Sequence, residues 1–213
     1  WLATKSDVPV TMITGDLTAD KLDGLQVVIV MNLVPGWSAY AYNDPTSEMD
    51  AQGDVLAAWV ADGGGLWVTA GYDGSQPVEE LANKWIDDYG HAFGTSEILP
   101  YDGNNWDADG VHYFTPTATA HPITQNVDLL AGQGAAEVSG PGTNLIVSGG
   151  YNLGRVTSHG DGNIFVFGDE WITYDALWTG AAHEDLDIVQ FLSNLFIWLS
   201  PANECKIPSV VIE

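Results

Sequence analysis

Three carboxylates and a group of aromatic rings lie where apolar runs of this chain give way to polar turns. Asp73 sits in Gly71-Tyr72-Asp73-Gly74, and Asp169 and Glu170 sit in Gly168-Asp169-Glu170-Trp171. Neighbouring carboxylates oppose one another's ionisation unless a cation neutralises them, so these residues suit an acid/base pair or a hard divalent ion. Loop charge solvated by water is the plainer reading. Tyr72, Trp171, Tyr174 and Trp178 add flat apolar faces in these segments, Gly71 to Ser75 and Gly168 to Trp178, and Trp37, Tyr40 and Tyr42 add them in a third, Asn32 to Tyr42. Rings beside carboxylates fit a sugar or a metal-assisted polar ligand, unless the rings only seal the core. The predicted ligand-binding set is Trp37, Tyr40, Tyr72, Asp73, Asp169, Glu170 and Trp171.

A second acidic string, Asp102-Gly-Asn-Asn-Trp-Asp107-Ala-Asp109-Gly110, has the oxygen density of a calcium loop, with Asp102, Asn104, Asp107 and Asp109 as its ligands. It departs from the EF-hand pattern, because Trp106 fills a ligand position and the closing glutamate is missing, so a plain polar turn is the alternative. Arg155 is the only arginine and the lysines lie far away in sequence, which makes an exogenous cation, calcium, the expected neutraliser of the loop acids. His183 and Asp187 stand four apart at a helix start, a spacing that can share a metal, yet the helix dipole explains acids in a first turn. His121 precedes a proline and is expected to fix a turn, while His91, His112 and His159 have no partner within motif distance. The sequence contains no nucleophile-elbow serine, phosphate-cradling glycine loop, paired-cysteine zinc signature or dinucleotide fingerprint.

The elements that must position these residues alternate between strand and helix patterns, which predicts a sheet flanked by helices. Strands are expected at Val8–Ile13, Gln26–Leu33 and Leu66–Ala70, with Leu17–Leu25 as a short connection. The second is a continuous β-branched run of the kind buried on both faces, and it should lie beside and parallel to the third. Asp44-Pro45 opens a helix that Gly63-Gly64-Gly65 ends, and Val78, Leu81, Ala82, Trp85, Ile86 and Tyr89 mark another that stops at Gly90. Residues 93–142 are rich in Gly, Asp, Asn, Thr and Pro and read as an elaborated insertion without a core of its own. Strand patterns return at Asn144–Ser148, Gly154–Ser158 and Asn163–Phe167, the first two joined as a hairpin through Gly149-Gly150-Tyr151-Asn152. A closing helix runs from Asp185 to Leu199, with Ile188, Val189, Leu192, Leu195, Phe196 and Leu199 turned inward. The expected fold is α/β, a three-layer flavodoxin-like domain over residues 1–200. Its central sheet should be mainly parallel with an antiparallel C-terminal extension, and residues 201–213 form a tail or linker.

Four strings in this order carry a family resemblance: Leu25-Gln-Val-Val-Ile-Val, Leu56-Ala-Ala-Trp-Val-Ala-Asp-Gly-Gly-Gly-Leu-Trp-Val-Thr-Ala-Gly71, His121-Pro-Ile-Thr124 and Gly160-Asp-Gly-Asn-Ile-Phe-Val-Phe-Gly-Asp-Glu170. From about Val8 to Leu199 the chain resembles the class I glutamine amidotransferase-like superfamily, in its ThuA-like, non-amidotransferase branch. Amidotransferases of that superfamily place a cysteine at the turn after the third strand, activated by a histidine. Here that turn is Gly71-Tyr72-Asp73-Gly74, and Gly168-Asp169-Glu170 stands where the histidine would be expected. The resemblance therefore implies the scaffold and argues against glutamine hydrolysis.

Charge and composition narrow the partners. With 5 Lys+Arg against 29 Asp+Glu the net charge is −24, which repels phosphate backbones and anionic lipid surfaces. The chain is 46 % apolar and 16 % charged, too hydrophobic for disorder, and no apolar run approaches the length of about 18 residues that would span a bilayer. Nucleic acid and membrane insertion are therefore excluded as expectations. Such acidity serves solubility in a secreted protein or adaptation to high salt, and a chain beginning at Trp1 reads as a processed product or an excised piece, so the expected location is extracellular or at the cell surface. The lone Cys205 is either a free thiol on a tail or half of a bridge to another chain. The first functional expectation is a secreted, non-catalytic binding or assembly module, with a carbohydrate or a protein as partner, since the family's nucleophile is missing. A carbohydrate-active hydrolase working through the edge carboxylates is the second. A self-assembling surface-layer or fibre subunit, a homo-oligomer, is the third.

Overall fold

The computed structural model describes residues 10–11, 13, 16–31, 45–70, 77–97, 111–173 and 183–200. In chain order the elements are α1 (Ala19–Leu22), β1 (Val27–Val30), α2 (Pro45–Ala61), β2 (Gly65–Thr69), α3 (Pro77–Ile86), β3 (Ala92–Glu97), β4 (His112–Phe114), β5 (Leu130–Gly132), β6 (Ala136–Ser139), β7 (Thr143–Ser148), β8 (Tyr151–His159), β9 (Gly162–Phe167) and α4 (Ile188–Leu199). Single 3-10 turns occupy Asp87–Tyr89, Pro122–Thr124 and Trp171–Thr173. The class is α/β, built on a mixed five-stranded sheet in the order β1-β2-β9-β8-β7.

β1 and β2 are adjacent and parallel, as expected from their apolar runs, and β2 is parallel to β9. β8 is antiparallel to both β9 and β7, so antiparallel pairs equal parallel ones and the sheet is mixed rather than mainly parallel. The reason is loop length: two-residue turns can join only antiparallel neighbours. Gly149 (φ 59°) and Gly150 (φ 91°) alone form the β7–β8 turn, in backbone conformations that a side chain disfavours. Tyr151 and Asn152, expected in that turn, already belong to β8. Val10, Thr11 and Ile13, part of the expected first strand, are not in a strand, and the rest of it lies outside the described residues. The expected connection Leu17–Leu25 contains the one-turn helix α1.

The sheet register sorts the core by side-chain type. Val28, Leu66 and Ile164 form one cross-strand row and Val30, Val68 and Val166 another, and both join the core cluster that holds Leu56 and Val60 of α2 and Ala82, Trp85 and Ile86 of α3. The alternate row of Ile29, Trp67 and Phe165 faces the other way, against Ile188, Phe191, Leu192, Leu195 and Leu199 of α4. Period-2 alternation along each strand thus feeds two cores, one on each face of the sheet. Phe165 stacks on Phe167 at 5.7 Å and meets Phe191 edge-on, also at 5.7 Å. Phe191 was not among the residues expected inward on the closing helix, whereas Val189 and Phe196 are half-buried.

The described part of the expected insertion contains two small antiparallel sheets, β3 with β6 and β4 with β5, whose side chains extend the two existing cores. α4 begins three residues later than Asp185, because Asp187 Oδ2 accepts the N–H groups of Asp128 (2.8 Å) and Leu129 (3.0 Å).

Exposed acids are densest on the side of α1–α3. Asp16, Asp20, Asp23, Asp50, Asp54, Asp62, Asp87 and Asp88 are exposed on or beside α1–α3. Lys84 answers Asp50 at 3.1 Å. On the other side α4 contains no charged residue, nor does the run from Val111 to Val127. No helix among the described residues is long and apolar enough to cross a membrane.

Candidate functional site

Parallel strands end together at one edge of the sheet, and ligands of open α/β sheets bind outside such carboxyl ends. Here the register brings Thr69 of β2 opposite Phe167 of β9, and the chain leaving β9 is tied on three sides. Gly168 N–H donates to Leu153 of β8 (2.8 Å), Ala136 N–H of β6 donates to the Gly168 carbonyl (2.7 Å), and Thr69 Oγ1 donates to the Asp169 carbonyl (2.7 Å).

Asp169 is fully buried. Its Oδ1 accepts the Trp171 N–H at 2.8 Å, closing an Asx turn, and its Oδ2 accepts the Gln133 N–H from the turn between β5 and β6. Glycine is required at position 132, because a Cβ there would fall against Oδ2. The carboxylate is therefore an internal cap that joins the end of the central sheet to the insertion. Glu170 is also buried, and its carbonyl accepts the Thr173 N–H (2.9 Å) and Thr173 Oγ1 (2.6 Å).

Beside this turn three rings from distant segments converge. Trp171 meets His183 edge-on at 5.3 Å, and Tyr113 Oη lies 3.3 Å from His183 Nδ1. His183 adopts φ 52°, a left-handed conformation that costs an ordinary residue about 1 kcal/mol or more, so the surrounding contacts hold it there. Trp171 is buried, whereas Tyr113 and His183 are half-buried and form the accessible part of the cluster. The half-buried imidazole and phenol set polar atoms beside flat apolar surface, a chemistry suited to polyols and sugars.

Of the predicted ligand-binding set, the structure brings together Asp169, Glu170 and Trp171 and encloses all three, rather than leaving solvated loop charge. Trp37, Tyr40, Tyr72, Asp73 and the candidate calcium ligands Asp102, Asn104, Asp107 and Asp109 lie outside the described residues, as does Cys205. His183 and Asp187 do not act as a pair: the carboxylate serves backbone N–H groups and the ring serves Tyr113 and Trp171. Among the described residues no three His, Cys, Asp or Glu side chains converge as metal ligands.

The remaining histidines have structural partners. His121 Nδ1 accepts the Ile123 N–H at 3.3 Å and so caps the turn Pro122–Thr124, and burial lowers its pKa. His91, 2 % exposed, sets Nδ1 3.3 Å from the Ser139 carbonyl, and its Nε2 is buried without a partner. Burial lowers the His91 pKa, opposed by the Ser139 carbonyl and assisted by Arg155. His159 packs edge-on against Tyr89 at 5.1 Å, and burial, with Asp88 nearby, raises the pKa of that phenol.

Sequence reasoning missed Tyr113, Thr69, Gly132 and Gln133. The strand pattern His112-Tyr113-Phe114 was a signal for the first, and the other three belong to no motif.

No protein-family profile and no curated protein matches the chain. Solved structures do. A cytoplasmic protein from Salmonella typhimurium LT2 superposes with a TM-score of 0.60 at 14 % identity over 93 % of this chain and 78 % of that one. The mmIFT52 N-terminal domain superposes with a TM-score of 0.59 at 14 % identity over 88 % of this chain and 82 % of that one. Both likenesses concern the fold alone. A ThuA-like protein from Bacteroides uniformis ATCC 8492 matches at 15 % identity over 85 % of this chain and 72 % of that one, with a TM-score of 0.45, too low to bear on the fold.

Proposed function

We propose that the chain is an extracellular, non-catalytic binding module on an amidotransferase-like scaffold of three-layer, flavodoxin-like layout, and that it takes a carbohydrate at the carboxyl edge of its sheet. The observation that supports this most is the division of labour at that edge. The Asp169 carboxylate is committed to two backbone N–H groups, while Trp171, His183 and Tyr113 gather beside it from three separate segments. Glycoside hydrolysis needs two carboxyl groups about 5–10 Å apart across a cleft, and Asp169 would have to abandon both N–H donors to serve as one. A sugar ring held on aromatic and imidazole edges needs no such release. The sequence agrees, since the turn Gly71–Gly74 holds no cysteine. The strong acidity suits a protein working outside the cell.

Intrinsic tryptophan fluorescence during titration with soluble oligosaccharides of mannan, cellulose, xylan and chitin tests the reading. At least one series should give a saturable change that His183→Ala and Tyr113→Phe each weaken about tenfold, a loss of about 1.4 kcal/mol. No change with any series, or unaltered affinity in both variants, would overturn the carbohydrate assignment.

A further inference from the structure

His91 stands at a joint that the ligand reading does not use. The ring is buried against the turn Gly140-Pro141-Gly142, which joins β6 to β7 and whose Pro141 and Gly142 are exposed. Its Nδ1 lies 3.3 Å from the Ser139 carbonyl, and a Cβ on Gly140 (φ 130°) would collide with that nitrogen. A carbonyl only accepts, so Nδ1 carries the hydrogen and Nε2 presents a lone pair, buried without a partner. Two further bonds hold the same turn: Arg155 Nε of β8 donates to the Pro141 carbonyl (3.4 Å), and Ser139 Oγ donates to the Ala92 carbonyl (3.1 Å). At its other end β6 reaches the candidate site, where Ala136 N–H donates to the Gly168 carbonyl beside Asp169.

We infer that His91 acts as an acid-operated latch, which closes residues 139–142 onto the start of β3 while the imidazole is neutral and frees them when it becomes an imidazolium. Protonation would put a hydrogen on Nε2, where no acceptor stands, and a charge where nothing neutralises it. The charged group that bears on the ring is Arg155 of β8, which has the same sign. The other titratable groups around the joint do not compensate. Glu137 of β6 alternates with the core residue Val138 and points away from that core. Asp87 and Asp88 of the 3-10 turn are exposed, and Lys84 of α3 pairs with Asp50 at 3.1 Å. Burial keeps the Tyr89 phenol neutral, and His159 of β8 lies against that ring. The Ser139 carbonyl favours the imidazolium, but burial is the larger effect. Opening hydrates the ring and restores its ordinary pKa of about 6.5, so the open form takes the proton first as pH falls. Opening is therefore promoted from about pH 6.5 down to the closed-state pKa, and levels off below it. It stays local because the turn is at the surface, whereas β6 and β7 enter the core at Val138 and Leu145.

Hydrogen exchange of the full chain, followed by mass spectrometry and divided by the intrinsic rate at each pH, tests this. Between about pH 7 and 5 the corrected exchange of residues 138–143 should rise about tenfold in wild type. At pH 5 it should exceed that of β9 about tenfold or more and ignore low urea that speeds β9, because a local opening exposes little surface. His91→Gln keeps a donor for the Ser139 carbonyl but does not titrate, and should remove the rise. In wild type the rise should level off at the pH where the His91 ring signals titrate by NMR, a check that needs no variant. Exchange of 138–143 that is constant with pH overturns the proposal, as does an equal rise in His91→Gln or one that continues below the NMR midpoint. So does exchange that matches β9 at pH 5, since the turn then opens only with the whole fold.

Discussion

The two faces of the central sheet have opposite characters. One packs aliphatic rows, Val28–Leu66–Ile164 and Val30–Val68–Val166, beneath helices edged with exposed aspartates. The other packs Trp67, Phe165, Phe167 and Phe191 beneath a helix without charge. One alternation of side chains along β1, β2 and β9 thus separates both the core chemistry and the surface chemistry of the molecule. The candidate site lies at the edge where these strands end, capped by Asp169. Exposed aspartates line one face and the aromatic core underlies the other, so changes on the two faces should have different consequences.

The largest effect is expected in the aromatic core. Phe165→Ala should cost about 3–5 kcal/mol, because the ring touches Trp67, Phe167 and Phe191 and the cavity cannot collapse in the middle of a sheet. Leu66→Ala, one register row away on the aliphatic face, should cost less within the range of about 2–5 kcal/mol for such truncations. Urea unfolding of both variants checks the order, and a larger loss at Leu66 would break the claimed asymmetry.

Next comes the joint between the faces. Asp169→Ala leaves the buried Trp171 N–H without an acceptor, at about 1–3 kcal/mol, and removes the acceptor of the part-buried Gln133 N–H at a smaller cost. The loss should be the same in calcium and in chelator at fixed ionic strength, since the carboxylate serves N–H donors. A penalty that appears only in calcium would reassign Asp169 as a cation ligand.

A smaller effect is expected with pH. The folded pKa of His91 lies below the ordinary value of about 6.5, so the unfolded chain binds the proton first as pH falls. Stability from neutral His91 is complete above about pH 6.5 and is lost as pH drops from there through the folded pKa. Asp88 works the other way: slight desolvation of its exposed carboxyl, followed by its acidic neighbours Asp87 and Asp54, raises its pKa, so acid relieves the repulsion on that face. Melting midpoints between about pH 7 and 5 should therefore fall more steeply in wild type than in His91→Gln, and parallel slopes would refute the role of His91. The smallest change is expected for Asp54→Asn, which should raise the melting midpoint slightly at low salt and not at high salt, as relief of exposed repulsion requires.

Much of this division was legible in the sequence. The continuous runs Val27–Val30 and Leu66–Val68 read as neighbouring buried strands because burial on both faces removes polar alternation. The charge-free stretches Val111–Val127 and Ile188–Leu199 can also be read directly, but only the contacts of Asn194 with Ile123 and Gln125 place them on one surface. The role of Asp169 was hidden because its acceptor bond reaches the N–H of Gln133, 36 residues away. The His183–Tyr113 contact spans 70 residues, so no local spacing announces it. Three-residue strands such as β4 and β5 are too short to show a periodicity of their own and pair through tertiary context.

The central claim, recognition at the carboxyl edge without turnover, is tested most directly in a single sample. The full chain would be incubated with an oligosaccharide series to which it binds, with retention and newly formed reducing ends followed together over time. The account predicts saturable retention and no reducing ends above the level of buffer alone. Reducing ends that accumulate with wild type and vanish with Glu170→Gln would contradict it and establish a hydrolase.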